Sequence, residues 1–125
     1  MLKKNKKGLW EMGKIQIIRD IVKKYNKGTS FSYSDNGYGV NKKGEFYTFG
    51  NTAHTFKLED KEIEKKEYVL DNLIESLVYD ILYDRYNLSY KDDKEKINKI
   101  FSFSRKMSKL NSSKEIIKKI EEFKF

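Results

Sequence analysis

Asp35, Glu59 and Lys61 are the residues whose types come nearest to catalysis. One common nuclease core sets an aspartate near a strand start and an acid-x-Lys pair on a following strand. Its carboxylates bind Mg²⁺, and its lysine steadies the nucleophile or the transition state. Here Glu59-Asp60-Lys61 supplies the pair, with Glu11 on the expected first helix. Two features weigh against that chemistry. Acid-x-Lys recurs by chance at this charge density, as Glu64-Lys65-Lys66 shows, and Lys61 falls where a helix should begin rather than inside a strand. His54 is the one histidine and there is no cysteine, so a zinc site built on those ligands is not expected. As a general base, His54 would need an orienting carboxylate, and Glu59 and Asp60 are the nearest in sequence. The expectation is a non-enzymatic protein with no cofactor and no metal, a metal-dependent nuclease being the lesser alternative.

The stretch SYSDNGYGVNKKGEFY, Ser32 to Tyr47, carries three glycines and a Lys-Lys step. As a calcium loop it fails. Placing the essential glycine at Gly37 puts Ser32, Ser34 and Asn36 at the first three ligand positions and Lys43 at the twelfth, where a glutamate is required. As a phosphate cradle it fails too, because its glycines lead into a strand rather than a helix N-terminus. Asn36-Gly37 and the loop Asn41-Lys42-Lys43-Gly44 are hairpin signals, and the turns account for the glycines. Lys42 and Lys43 then form a hairpin tip flanked by Tyr38 and Tyr47, able to neutralise phosphates while a tyrosine stacks on an unpaired base.

The remaining chemistry is charge. The net charge is +8, with nine basic residues against two acids over 1–28, six against twelve over 59–95, and nine against three over 96–125. The chain is thus basic at both ends and acidic in the middle, the asymmetry of an oriented interaction surface. The candidate nucleic-acid-binding residues are Lys3, Lys4, Lys6, Lys7, Lys14, Lys23 and Lys24 at one end, Lys42 and Lys43 at the tip, and Arg105, Lys106 and Lys109 at the other end. All but three of the 27 basic residues are lysine. Lysine is a point charge, whereas base reading favours the arginine fork, so backbone-led and salt-sensitive binding is expected.

The elements that must position these residues follow from periodicity. At 125 residues the chain makes one domain, and a 38% apolar content implies a small core under a charged surface. Residues 1–8 read as a basic flexible tail and 9–125 as a single α+β domain. A first helix is expected over about Leu9 to Asn26, with Trp10, Ile17, Ile18, Ile21 and Val22 on one face and Gly28 as its stop. Residues 29–58 alternate with period two and predict an antiparallel meander of three or four short strands. A long helix over about 60–87 carries the widest apolar stripe, with Asp60 capping its start. Two C-terminal helices follow, over about Asp93 to Leu110 and from the capping box Ser112-Ser-Lys-Glu115.

No apolar run is long enough to span a bilayer, and the basic start lacks the apolar core of a signal peptide, so no membrane is expected and a cytoplasmic protein is. Abundant Lys, Asn, Ile, Tyr and Phe with a single alanine and no proline is the signature of AT-rich coding. The composition fits an accessory factor of a phage or mobile element, including an inhibitor of a host nuclease system. The expected partner is nucleic acid or a nucleoprotein complex. The alternative is a protein–protein module, with a protein partner or a homodimer engaged through the long helix and its clustered Tyr79, Tyr83, Tyr86 and Tyr90.

Overall fold

The computed structural model of the chain describes residues 2–4, 10–33, 36–50 and 54–125. Strands β1 (Leu2–Lys4) and β2 (Trp10–Met12) pair antiparallel, with Lys3 opposite Glu11. The first helix, α1, spans Lys14–Tyr25. Its expected start at Leu9 is therefore corrected, and Trp10 stands on a strand rather than on the helix. The physical reason is Gly13, which holds an extended conformation (φ −67°, ψ 148°) and serves as the N-cap. Ile17, Ile18, Ile21 and Val22 are buried, as their spacing predicts.

Asn26, not Gly28, ends α1. It takes the left-handed conformation (φ 49°), and its backbone N–H reaches the Val22 carbonyl. Gly28 answers a different need, a close backbone approach. A Cβ there would stand 2.4 Å from the Val40 carbonyl oxygen and 3.0 Å from the Asn41 Cα.

The meander has four strands, β3 (Thr29–Tyr33), β4 (Asn36–Val40), β5 (Phe46–Gly50) and β6 (Thr55–Leu58), antiparallel and in sequence order across the sheet. Register places Thr29, Val40, Phe46 and Leu58 on one rung, and all four are buried. Gly37 and Gly39 lie inside β4, which corrects the expectation that turns explain them.

The expected long helix is two helices, α2 (Asp60–Glu64) and α3 (Glu67–Arg85). Lys66 leaves helical geometry (φ −109°, ψ 69°), and its N–H makes a tight bond to the Ile63 carbonyl, 2.9 Å. Asp60 is not the cap either. Glu59 is, closing a capping box with Glu62, while Asp60 faces Arg19. α3 is the centre of the fold, packed by α1, α2, α4 (Lys94–Met107), β3 and β4. Its stripe from Val69 to Leu82 is buried, so the width that suggested a partner is used within the chain. α5 (Ser113–Glu122) opens on Ser112, whose hydroxyl accepts from the Glu115 N–H at 3.3 Å. The architecture is α+β, as the periodicity predicts. No helix among the described residues is long and apolar enough to cross a membrane.

Candidate nucleic-acid interface

The β4–β5 hairpin is built around Asn41. Its side-chain oxygen accepts from the Lys43 and Glu45 N–H groups at 2.9 and 3.0 Å. The Gly44 N–H reaches the Asn41 carbonyl at 2.9 Å, and Gly44 takes the left-handed conformation (φ 81°) that a three-residue loop requires. Lys42 and Lys43 are thereby held exposed at the tip. Arg19 fixes the hairpin to α1. Its Nε donates to the Gly44 carbonyl at 2.9 Å, its two terminal nitrogens grip Asp60 at 2.7 and 2.8 Å, and its guanidinium lies 5.3 Å from the Phe46 ring centre. Hydrogen bonding from Arg19 holds the Asp60 carboxyl below its ordinary range and raises the Arg19 guanidinium in turn.

Tyr38 and Tyr47 do not flank the tip as a pair. They stand on opposite faces, because Tyr47 is the register partner of Gly39. Tyr38 faces the helices, its ring centre 6.0 Å from that of Phe31. Tyr47 lies on the outer face across Gly39, and Phe49 lies across Gly37. The signal that would have located these rings was present: glycine at period two in one strand, aromatic at period two in the next.

The start of α1 meets the corner between α4 and α5. Lys14 Nζ donates to the Ser108 carbonyl at 2.6 Å and lies 3.3 Å from Asp71, joining α1 to the corner between α4 and α5. Ser113 Oγ bonds Asp20 at 2.6 Å, fastening α5 to the same helix. Lys14 was expected on the binding surface. Its side chain is only 17% exposed and it neutralises carbonyls at the end of α4, a structural task. Arg105 is partly engaged as well, 5.3 Å from the Phe101 ring centre and 3.9 Å from Glu75. Lys23, Lys24, Lys106 and Lys109 are exposed. Lys3 and Lys4 lie on β1, and Lys6 and Lys7 lie outside the described residues.

The nuclease pattern is described only in part. Asp35 lies outside the described residues, and Glu59 and Lys61 stand at the start of α2 rather than on a strand. His54 is exposed just before β6. Among the described residues, no group of three or more histidine or acidic side chains gathers to hold a metal. What the fold and this surface define is a small α+β protein presenting lysines on a rigid hairpin and a helical corner. No protein-family model matches the chain, and no curated protein or solved structure does either.

Proposed function

We propose that this is a small non-enzymatic binding protein that engages the backbone of nucleic acid, or a nucleic-acid-bound protein complex. One observation carries the reading: the fold spends its arginines and two half-buried lysines on its own acids. Arg19 pairs with Asp60, Arg85 with Glu121, Arg105 with Glu75, Lys14 with Asp71 and Lys27 with Asp84. Lys23, Lys24, Lys42, Lys43, Lys106 and Lys109 are left exposed, and no ion pair to a described acid is made by any of them. Point charges free of internal partners attract phosphate without reading bases. An accessory role in a phage or mobile element, such as inhibition of a host nuclease system, is consistent with the AT-rich coding signature.

The test is a salt titration of binding to duplex and single-stranded DNA and RNA. Affinity falls linearly on a log–log scale, by a slope of roughly 0.7–0.9 per phosphate neutralised. Absence of binding at low salt overturns the proposal. One observation favours a second reading, a protein-interaction module: Phe101 is 46% and Tyr90 73% exposed beside Tyr79, along a groove that also includes Phe31 and Ser76. Sedimentation across a concentration series tests for self-association at that groove.

A further inference from the structure

We propose that the outer face of the four-stranded sheet is a stacking platform for unpaired bases, which makes the ligand single-stranded nucleic acid. The inference rests on the basic-surface reading above and gives that surface a substrate class. It starts from the two glycines of β4. A Cβ on Gly39 would stand 2.3 Å from Tyr47 Cζ, and one on Gly37 would stand 2.0 Å from Phe49 Cζ. Each ring therefore occupies the space that a side chain on β4 would fill. The glycines seat the rings against the backbone and restrict their rotamers, leaving the outward side of each ring partly open. The two ring centres are 6.1 Å apart, on alternate residues of one strand. The helices pack on the other face, where Thr29 bonds Ser76 and Asp80 of α3.

Charge decides the occupant. The outward positions of the described strand residues carry serine, glycine, threonine, the two rings and Lys57, and no acid. Lys57 is the register partner of Tyr47, and Lys42 and Lys43 stand at the tip of the same hairpin. Glu45 and Glu59 stand at the strand ends, lining a pocket with Lys57, so the free positive charge beside the rings is that of Lys42 and Lys43 at the tip, and rings next to it suit a polyanion that also offers flat apolar surfaces. In a duplex those surfaces are stacked against one another and only base edges are accessible. In a single strand they are free to lie on Tyr47 and Phe49. Because Arg19 and Arg85 are held by Asp60 and Glu121 and Arg105 stands on α4 beside Glu75, no arginine fork lies among the described outward strand positions, and recognition at this face tolerates any base sequence.

The test compares anisotropy titrations of labelled oligo-dT and oligo-U of about 15 nucleotides with a duplex of equal length. The single strands bind more tightly. Tyr47→Leu with Phe49→Leu keeps apolar cover on the glycines and removes the rings. This variant weakens single-strand binding by about tenfold or more, while duplex binding and the salt slope stay near their original values. Tyr47→Phe retains binding. If the leucine variant binds single strands as the original does, the platform is overturned and the basic-surface reading stands. If the unaltered protein binds no polymer at low salt, the basic-surface reading fails and the platform falls with it. Should circular dichroism show the leucine variant unfolded, photo-crosslinking of a 5-iodouridine oligomer to the unaltered protein decides. Adducts on Tyr47 or Phe49 support the platform, and adducts only elsewhere overturn it.

Discussion

Thr29 shows how one hydroxyl ties a sheet edge to the central helix. It has a single proton, and Asp80 Oδ2 at 2.7 Å can only accept when ionised, so the proton goes there. Ser76, also 2.7 Å away, must then donate to Thr29, which leaves its 3.3 Å approach to the Ser30 carbonyl as the weaker alternative. Burial raises the Asp80 carboxyl above its ordinary range, against the lowering effect of the Thr29 bond and of Lys27. Thr29→Val deletes the donor to a charged acceptor and should cost about 1–3 kcal/mol at neutral pH, read from urea unfolding. The pH dependence has a definite sign. A carboxyl raised in the folded state binds its proton more readily there than in the unfolded chain. Its contribution therefore declines as pH rises from the ordinary carboxylate value through the raised folded value. Asp80→Asn removes that decline. The variant should show a higher urea midpoint than the original protein at pH 7, with the advantage gone at about pH 3, where both states are protonated.

Glycine marks where the elements touch, and its two uses here predict different outcomes. Gly28→Ala drives a methyl into the Val40 carbonyl and the Asn41 backbone, which cannot yield without moving the strand. A loss of about 1–3 kcal/mol is expected from such overpacking. Gly39→Ala meets only the far end of the Tyr47 ring, which can swing outward, so the stability loss should be under about 1 kcal/mol. Thermal unfolding of the two variants side by side checks the ranking. The elements differ in how legible they were. Alternation of Phe31, Tyr38, Val40 and Phe46 marked the strands because period two is a local property. The N-cap at Ser112 was local as well, and its hydroxyl bond to the Glu115 N–H is in place. The division between α2 and α3 was not legible. Residues 64–67 contain neither glycine nor proline, and Ile63, Leu70 and Leu77 keep helical spacing across the break. Trp10 misled for a related reason, since its spacing from Ile17 suits a helix although the chain between them is extended at Gly13. The role of Lys14 depends on partners far along the chain, in other helices, so no local pattern could show it.

At the scale of the molecule, the chain's acidic middle serves as the internal counter-charge for its basic ends. α3 supplies Asp71, Glu75 and Asp84 to cations on α1, on α4 and beside Gly28, so the basic segments close around an acidic core helix. Lysines without such partners carry positive charge outward, among them those at the hairpin tip, on α1 and at the α4–α5 corner. The sequence showed the charge blocks but not the contact of α1 with the α4–α5 corner, because Lys14 and Ser108 are 94 residues apart. Whether one bound strand crosses both the tip and the corner can be read from the slope of its salt dependence. Each lysine that neutralises a phosphate contributes roughly 0.7 to the slope for a single strand and 0.9 for a duplex. Lys42→Ala with Lys43→Ala should flatten the slope by about 1.4 for a single strand if both tip lysines make contacts. Lys106→Ala with Lys109→Ala, which touches neither ring nor hairpin, should flatten it by a similar amount if the strand continues across the corner. The ligand would then span the outer sheet and the α4–α5 corner. An unchanged slope in that second variant, with the first variant flattened, would confine the contact to the sheet and its tip. The lysines of the corner would then be a solvated face whose work is solubility and long-range attraction.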